Sequence, residues 1–315
     1  MNNIAIVGAS GFIGSRLTKK CLEEGDCVYA IVRSKEKLLH ILIDVYGIDL
    51  DSCELHIIES DFDDYKNLKN KLPIDTHINV VYYLSWDGYG KHTNDYEIQI
   101  SNIKPVCDCL EAIHPSKFIF ASSLSEYMVK KSKYCRNQSV LTEKSCNVYG
   151  ATKHSARLIA QAVANDFDID FVSVAFANVF GPGDFSNRST NSFIKKMLNN
   201  EQINLTEGNE LYDWIYIDDC ISSLLEVGWV GKNNEHFYIG NTPRQLKDIV
   251  YELKYIIGSH SKLNWGEYKT EFQMNYSNVH YEESFNRLVW SDRTSFEDSI
   301  NETVHWVKKY LMGDR

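Results

Sequence analysis

The chain has 315 residues, of which 43% are hydrophobic and 24% are charged, and its formal net charge is −10. These values are typical of a globular protein with a large core. The negative charge argues against general nucleic-acid binding, which requires a basic surface. No apolar run approaches the ~20 residues of a membrane helix, and the N-terminus lacks the features of a signal peptide. We therefore expect a cytoplasmic protein that binds neither membranes nor nucleic acids.

The eight cysteines and ten histidines are scattered along the chain. They form no CxxC, HxH or HExxH spacing, whereas zinc ligands usually come in closely spaced pairs. We expect no metal site and no disulfide framework, and we expect the thiols to be reduced and mostly buried.

The first half of the chain alternates short apolar runs with helical patterns. The predicted strands are Asn3–Val7, Cys27–Val32, Glu54–Glu59, Asn79–Leu84 and Lys117–Ala121. The predicted helices are Ile13–Glu24, Lys35–Val45, Tyr65–Leu72 and Glu97–His114. This alternation, with strands that are apolar on both faces, predicts an α/β fold with a doubly wound parallel sheet of the Rossmann type.

The second half begins with a predicted helix at Val148–Asp166 and a strand at Asp170–Val174, after which residues 176–191 read as a loop. Shorter pieces follow at Ser192–Asn199 and Trp214–Ile217. A final helix, Ser295–Leu311, has a capping-box start at Ser295 and Asp298. We predict a Rossmann domain at residues 1–183, to which residues 214–240 return. Residues 184–213 and 241–315 would form a smaller C-terminal lobe.

A glycine-rich turn, Gly8-Ala9-Ser10-Gly11-Phe12-Ile13-Gly14, joins the first strand to the first helix. Gly8 permits a tight turn, Gly11 lets the backbone approach a pyrophosphate, and Gly14 lets the helix pack on the strand. The helix N-terminus then offers N–H groups to the phosphates. This context favours a dinucleotide site over a plain turn.

The end of the second strand indicates the cofactor type. A carboxylate there would favour NAD, but the chain has Arg33, Ser34 and Lys35, which suit the additional phosphate of NADP. Solvated surface charges are the alternative interpretation. After the third strand, Asp61 and Phe62 lie where an acid can meet the adenine edge, unless Asp61 is an ordinary exposed loop residue.

Tyr149 and Lys153 lie one turn apart on a predicted helix. A neighbouring ammonium lowers the pKa of a phenol and makes it a better acid–base group. Such a pair alone is more often structural. The combination is more specific here, because Ser122 and Ser123 end a strand, where a hydroxyl can reach the carbonyl that the tyrosine serves.

Five segments carry a family resemblance. They are GASGFIG, SSLSEY, YGATK, ANVFGPGD and DWIYIDDC. Their order resembles that in the extended short-chain dehydrogenase/reductases, which include nucleotide-sugar epimerases, dehydratases and 4-keto reductases. The resemblance runs from Ile4 to about Gly240. It implies a Rossmann domain with a small C-terminal substrate lobe, and a homodimer formed through the helices at 97–114 and 148–166.

The resemblance also implies site residues. The catalytic triad would be Ser123, Tyr149 and Lys153, with Asn102 orienting the lysine through water. The dinucleotide would contact Gly8, Ser10, Gly11, Phe12, Ile13, Arg33, Ser34, Asp61, Phe62, Leu84, Ser85, Trp86, Asn102, Tyr149 and Lys153. The substrate would contact Ser125, Asn178, Val179, Phe180, Arg188 and Arg244.

Departures from the family pattern narrow the reaction. Dehydratases carry an Asp-Glu pair where this chain has Leu124 and Ser125, so dehydration is not expected. Tyr212 and Ala175 replace two arginines that often hold the diphosphate. Arg188 and Arg244 are candidate substitutes, although a surface role for either is equally open.

These features together indicate an NADP(H)-dependent oxidoreductase. The branch that Trp86-Asp87-Gly88 and the serine segment resemble reduces the C4 ketone of CDP- or dTDP-4-keto-6-deoxyhexoses. We expect this activity on a CDP-, dTDP- or GDP-linked substrate, in deoxysugar or surface-polysaccharide biosynthesis. The alternatives are a nucleotide-sugar 4-epimerase with tightly bound NAD and a non-catalytic NADP-binding sensor, which would normally lack the Tyr-Lys pair.

Overall fold

The computed structural model describes residues 1–90, 92–126, 147–269, 276, 288 and 293–313. These residues form two compact units. The first contains residues 1–176 and 223–238, and the second contains residues 177–222 and the described residues from 239 onward. The predicted assignment of one part to the dinucleotide and the other to the substrate stays a prediction.

A seven-stranded sheet forms the centre of the first unit, in the order β11-β6-β5-β4-β1-β2-β3. The strands are β1 Asn3–Val7, β2 Cys27–Val32, β3 Leu55–Glu59, β4 Val80–Tyr83, β5 Lys117–Ala121, β6 Asp170–Phe176 and β11 His236–Ile239. The five neighbouring pairs from β6 to β3 are parallel. The sheet confirms the predicted Rossmann-type α/β fold.

The strand order reverses direction beside β1. The chain proceeds outward from β1 to β2 and β3, and β4 then pairs with the other side of β1, where Val7 lies opposite Tyr83. In open α/β sheets, ligands bind beyond the carboxyl ends of the strands at such a switch point. The glycine turn after β1 and the Ser85-Trp86 segment after β4 both lie at this edge.

The helices largely follow the predicted pattern. They are α1 Phe12–Glu23, α2 Lys35–Leu39, α3 Leu68–Lys71, α4 Tyr96–Ser101, α5 Ile103–Ile113, α6 Val148–Asp166, α7 Ser189–Leu198, α8 Ile217–Val230, α9 Leu246–Ile257 and α10 Phe296–Trp306. Wider helical turns continue α2 through His40–Val45 and α10 through Val307–Met312. The Ser295 cap of α10 is confirmed, since its Oγ accepts a hydrogen bond from the Asp298 N–H at 3.1 Å.

The single helix predicted at 97–114 is wrong, because it divides at Asn102 into α4 and α5. Pro105 has no N–H to donate to the carbonyl of Ser101, which interrupts the helical hydrogen bonds at this point. The Asn102 side chain donates to Ile98 O at 2.7 Å instead. The break turns Asn102 toward the segment that follows β4.

The loop predicted for residues 176–191 is also partly wrong. Within the second unit, β7 Asn178–Phe180 pairs in parallel with β10 Trp214–Tyr216, and α7 starts at Ser189. Two other short pairs are β8 Ile203–Asn204 with β13 Leu263–Asn264 and β9 Leu211–Tyr212 with β12 Arg244–Gln245. The strand β7 was not predicted because its partner lies 36 residues later along the chain. The local sequence, which is rich in glycine and asparagine, gives no sign of a strand.

The core of the first unit consists of strands buried on both faces, as predicted. Ile4 to Val7 of β1 and Phe118 to Phe120 of β5 are fully buried. Across the part of the chain that the structure describes, no helix is long and apolar enough to cross a membrane. The six cysteines within it are free thiols, and Cys21, Cys27, Cys109 and Cys220 are buried.

Candidate active site

The turn after β1 requires glycine at two positions. Gly8 adopts a φ of +87°, in the left-handed region, and its N–H donates to Ile31 O at 2.9 Å. A Cβ on Gly8 would lie 3.1 Å from the Ser85 backbone nitrogen, and a Cβ on Gly14 would lie 2.2 Å from Gly8 O. The backbones of β1, α1 and the segment after β4 therefore meet in contacts that leave no room for a side chain.

The start of α1 presents backbone N–H groups with no acidic side chain nearby in sequence. Gly11 occupies the N-cap position without a capping side chain, and the first turn contains no acidic residue. Helix N-termini of this kind attract phosphates. The predicted contacts Ser10, Phe12 and Ile13 lie on this turn, and each is partly exposed. The geometry fits a dinucleotide pyrophosphate.

The residues after β2 could bind a second anionic group, but some of their hydrogen-bonding groups already have partners within the protein. Arg33 and Lys35 are exposed. Ser34 Oγ caps α2 by accepting from the Lys37 N–H at 3.2 Å, and the Lys35 N–H donates to Glu59 Oε1 at 2.8 Å. Glu59, which no sequence motif singles out, ends β3 and adds a negative charge beside the predicted phosphate contacts.

The predicted adenine contacts lie after β3. Asp61 Oδ1 accepts a hydrogen bond from the Phe62 N–H at 2.8 Å and so caps the short helical turn that follows. Phe62 is partly buried and packs edge-on against Tyr65, with 5.5 Å between ring centroids. Asp61 is exposed. Its other carboxylate oxygen, Oδ2, is the atom that would accept a hydrogen bond from a ligand.

The Trp86 segment is held by two buried amides. Trp86 Nε1 donates to Gln99 Oε1 at 2.9 Å, and Gln99 Nε2 donates to Gly88 O and His92 O. Asn102 Oδ1 accepts from the Asp87 N–H at 2.7 Å. These bonds fix the segment that follows Leu84 and Ser85. Gln99 is fully buried and was not predicted, because a glutamine in a helical pattern carries no distinguishing signal.

Tyr149 lies at the first turn of α6. Asn147 caps the helix by accepting from the Gly150 N–H at 2.8 Å, and the Tyr149 N–H donates to Thr93 O at 2.9 Å. The Tyr149 ring is 7% exposed. It packs edge-on against Trp86 and Tyr89, with centroid distances of 6.2 and 5.4 Å.

Lys153 lies one turn further along α6 and is 3% exposed. Its Nζ donates to Ala121 O at 2.7 Å and lies 3.8 Å from the Trp86 ring centroid. Burial lowers the pKa of Lys153 to about 7, against the opposing charge of Glu126. Both the lysine and the tyrosine therefore contact the Trp86 segment, as a shared site requires.

Ser123 lies two residues after the end of β5, close to the first turn of α6. Its Oγ accepts from the Ser125 N–H at 3.1 Å, and the side chain is partly exposed. A Cβ on Gly150 would lie 2.8 Å from Ser125 O, so the serine segment packs directly on the first turn of α6. The structure thus brings Ser123, Tyr149 and Lys153 into one region, while their catalytic roles stay a prediction.

Glu126 belongs to the SSLSEY segment, but its sequence context does not predict that it is a buried acid. It is 1% exposed, and it accepts hydrogen bonds from Ser122 Oγ, His154 Nδ1 and Arg157 Nε. Burial alone would raise the pKa of Glu126, but the bond from His154 and the charge of Arg157 lower that pKa to about 2. Its main partners lie about thirty residues along the chain, so no local pattern reveals them.

The predicted substrate residues of the second unit have mixed environments. Asn178 Nδ2 donates to Tyr276 Oη at 2.8 Å, and Tyr276 packs on Tyr212 at 5.6 Å between ring centroids. The Val179 and Phe180 side chains are buried in the core. Arg188 is exposed at the start of α7.

Arg244 is already engaged within the second unit. Its guanidinium pairs with Glu252 and lies 5.3 Å from the Phe296 ring centroid. Binding a diphosphate would require Arg244 to share or exchange the Glu252 carboxylate.

Comparison with known proteins identifies the family. The model of the NAD dependent epimerase/dehydratase family matches residues 4–240. The chain belongs to this family. The predicted kinship with extended short-chain dehydrogenase/reductases is therefore confirmed, and so is the expectation of an enzyme of the nicotinamide-dinucleotide-dependent oxidoreductase type.

Two known proteins match almost the whole chain at low sequence identity. The chain is 22% identical over 340 residues to Protein CapI of Staphylococcus aureus, covering 98% of both chains. It is 24% identical over 316 residues to CDP-abequose synthase of Salmonella muenchen, covering 96% of both.

Solved structures share the fold at similar identity. UDP-glucose 4-epimerase of Thermotoga maritima, determined with UDP-glucose, gives a TM-score of 0.73 at 21% identity, covering 98% of this chain and 99% of that one. UDP-glucuronic acid 4-epimerase of Bacillus cereus, with UDP-glucuronic acid and NAD, gives 0.70 at 24% identity, with coverage of 98% and 99%. These likenesses establish the fold and leave the substrate open.

Proposed function

We propose that this enzyme uses NADPH to reduce the C4 ketone of a nucleotide-activated 4-keto-6-deoxyhexose. The observation that carries the proposal is the set of side chains beside Ser123. Leu124 is apolar and 4% exposed, and Ser125 is a neutral hydroxyl. The dehydratases that this chain resembles carry an Asp-Glu pair at these positions to eliminate water, and neither residue here is an acid.

Glu126 does not replace the missing acid. A general acid must hold a proton near the working pH, but the pKa of Glu126 is about 2 because His154 and Arg157 outweigh the effect of burial. The carboxylate is also occupied by Ser122, His154 and Arg157. The arrangement therefore supports chemistry at a carbonyl group rather than dehydration.

Three side chains have roles in that chemistry. The nicotinamide, when bound, supplies the hydride that converts the ketone to an alcohol. Tyr149 would donate its Oη proton to the carbonyl oxygen, and Ser123 would hold that oxygen by a hydrogen bond. Lys153, as an ammonium, would favour release of the proton by lowering the pKa of the tyrosine and would hold the nicotinamide ribose.

The glycine turn and the residues after β2 would hold the dinucleotide. Gly8 and Gly14 let the backbones of β1, α1 and the segment after β4 pack closely, and the N–H groups at the start of α1 would then bind the pyrophosphate. The exposed cations Arg33 and Lys35 support NADP, since a guanidinium can bind a phosphate through two hydrogen bonds. Glu59, which already accepts from the Lys35 N–H, favours the unphosphorylated ribose, so Arg33 is the residue on which the NADP preference depends.

A direct assay tests the proposal. The purified protein would be mixed with NADPH and a panel of CDP-, dTDP- and GDP-linked 4-keto-6-deoxyhexoses, and loss of the reduced cofactor would be followed by absorbance. We expect oxidation of NADPH with at least one substrate, formation of the 4-hydroxy sugar, and a much slower reaction in the Tyr149→Phe variant. Failure to oxidise NADPH with the whole panel would contradict the proposal.

A nucleotide-sugar 4-epimerase is the second candidate, supported by relatives such as UDP-glucuronate 4-epimerase 4 of Arabidopsis thaliana, at 22% identity. The same three side chains could take the proton from the C4 hydroxyl while bound NAD would accept the hydride from C4, and both would then be returned with the opposite configuration at that carbon. An epimerase would retain NAD through purification and interconvert UDP-sugars without net cofactor consumption. Chromatography of the nucleotide released on denaturation, together with UDP-sugar product analysis, distinguishes the two activities.

A further inference from the structure

A buried polar cluster connects the segment after β5, which contains Ser123, with α6, which contains Tyr149 and Lys153. It consists of Ser122, Glu126, His154 and Arg157, and we refer to it as the Glu126 cluster. The carboxylate of Glu126 lies 3.0 Å from His154 Nδ1 and 2.8 Å from Arg157 Nε, and it also accepts from Ser122 Oγ. The desolvation cost of burying even a paired carboxylate can exceed the gain from pairing, so this charge calls for a functional explanation.

The cluster adjoins both catalytic segments. Ser122 immediately precedes Ser123, and His154 immediately follows Lys153. The Glu126 N–H donates to Ser123 O at 3.1 Å. The Glu126 carboxylate is therefore hydrogen-bonded to residues that flank Ser123 and Lys153 directly in the chain.

The surroundings of Lys153 make this charge important. The lysine is enclosed by the rings of Trp86 and Phe120, with the ammonium 3.8 and 5.0 Å from their centroids, and by Ala121 O at 2.7 Å. Tyr149 precedes it by one turn of α6. Burial lowers the pKa of Lys153. Among the residues that the structure describes, Glu126 is the ionised group whose charge raises that pKa in opposition.

We propose that Glu126 is a positioning residue whose fixed negative charge favours the ammonium form of Lys153 and whose hydrogen bonds tie the Ser123 segment to α6. The proposal rests on the proposed function insofar as it assigns Lys153 its task as an ammonium. Desolvation favours the neutral amine, and a nearby carboxylate favours the ammonium. Arg157 and His154 keep Glu126 ionised, so its charge is constant across the working pH range.

A variant series separates charge from shape. Glu126→Gln keeps the size and most hydrogen-bonding capacity but removes the charge, whereas Glu126→Asp keeps the charge on a shorter side chain. Arg157→Gln removes the cation that offsets Glu126. We expect the titration midpoint of Lys153 to fall by about one pH unit in Glu126→Gln, to stay near the wild-type value in Glu126→Asp, and to rise in Arg157→Gln.

The midpoint can be measured without substrate. Protein labelled with ¹³C at lysine Cε would be titrated by NMR, and the resonance absent from Lys153→Met would be assigned to Lys153. An unchanged midpoint in Glu126→Gln would overturn the proposal. If that variant does not fold, an unchanged or lowered midpoint in Arg157→Gln would overturn it instead.

The pH dependence of kcat/KM for ketone reduction provides the functional readout. Because the reaction needs the ammonium, activity falls as pH rises through the Lys153 midpoint, and we expect this alkaline limb to move with the NMR midpoint in each variant. If the alkaline limb of kcat/KM stays at the same pH while the NMR midpoint of Lys153 moves, the charge of Glu126 has no role in catalysis. Absence of turnover in wild-type protein would reject the proposed function but leave the NMR result interpretable.

Discussion

The ammonium of Lys153 lies 3.8 Å from the centroid of the Trp86 ring. Trp86 follows Ser85, whose backbone nitrogen would lie 3.1 Å from a Cβ on Gly8. A continuous set of contacts thus joins the glycine turn after β1 to the lysine of α6. The Trp86 segment is the physical connection between the predicted dinucleotide site and the predicted catalytic residues.

The buried position of Lys153 predicts a pH-dependent effect on stability. Burial lowers the pKa of Lys153 from 10.5 to about 7, so the unfolded chain binds a proton that the folded chain does not between these values. Stability should rise with pH in this window, and the unfavourable contribution of the charged lysine should be complete below pH 7.

Lys153→Met removes this contribution. In cofactor-free protein, we expect the melting temperature of the variant relative to wild type to be greatest below pH 7 and to decrease as pH rises toward 10.5. Lys104→Met is the matched control, because the Lys104 side chain is 73% exposed, and its difference from wild type should be independent of pH. A relative melting temperature for Lys153→Met that increases with pH would refute the argument.

Glu126 should act in the opposite pH range. Its pKa is lowered from 4.5 to about 2, so its stabilising contribution is present above 4.5 and is lost as pH falls through 4.5 toward 2. We expect Glu126→Gln to lose about 3 kcal/mol of unfolding free energy at neutral pH, because Arg157 keeps its charge without a partner. Urea denaturation should show this loss shrinking in acid, unlike the small, constant effect expected for the exposed Glu36→Gln.

The sequence predicted the sheet and the glycine turn well, because both have local signals. β1, β2, β5 and α6 lie at the predicted residues, since their apolar runs and periodicity determine the element type. Glycines at 8, 11 and 14 could be interpreted from their position between a strand and a helix. The serine, tyrosine and lysine were identifiable through the family resemblance.

The missed features depend on contacts between distant segments. Gln99, Glu59 and Glu126 gain their significance only when a helix or strand places them beside partners far along the chain. The parallel pairing of Asn178–Phe180 with Trp214–Tyr216 likewise arises from tertiary packing rather than local propensity. Arg244 was a candidate for binding the diphosphate on sequence grounds, but its ion pair with Glu252 is revealed only by the fold.

The glycine turn predicts two different mutant effects. Gly14→Ala would place a methyl group 2.2 Å from Gly8 O, so it should displace α1 and lower the melting temperature. Gly11→Ala meets Gly8 O at 3.2 Å without a left-handed φ, and should fold but weaken NADPH binding by obstructing the pyrophosphate. Differential scanning fluorimetry and cofactor fluorescence separate the effects, and equal cofactor affinity in Gly11→Ala and wild type would exclude the predicted pyrophosphate contact.

Arg33 should determine the preference between the two nicotinamide cofactors. We expect Arg33→Ala to weaken NADPH binding by about tenfold or more, the loss of a charge-assisted contact, while leaving NADH binding nearly unchanged. Lys37→Ala, which removes an exposed charge from the helix α2 that follows Arg33, should alter neither affinity strongly. Parallel loss of affinity for both cofactors would show that Arg33 does not contact the additional phosphate.

Tyr149→Phe tests the chemical step directly. The substitution removes one oxygen and leaves the ring that packs edge-on against Trp86 and Tyr89, so the fold and NADPH affinity should be retained. Because the phenol would supply the proton to the carbonyl oxygen, kcat should fall by about 100-fold or more. Tyr96→Phe makes the same change on a 63% exposed ring and should retain full activity. Since a loss through misfolding would also reduce NADPH binding, a low kcat with wild-type cofactor affinity identifies Tyr149 as the acid, whereas turnover near the wild-type level would require another proton donor.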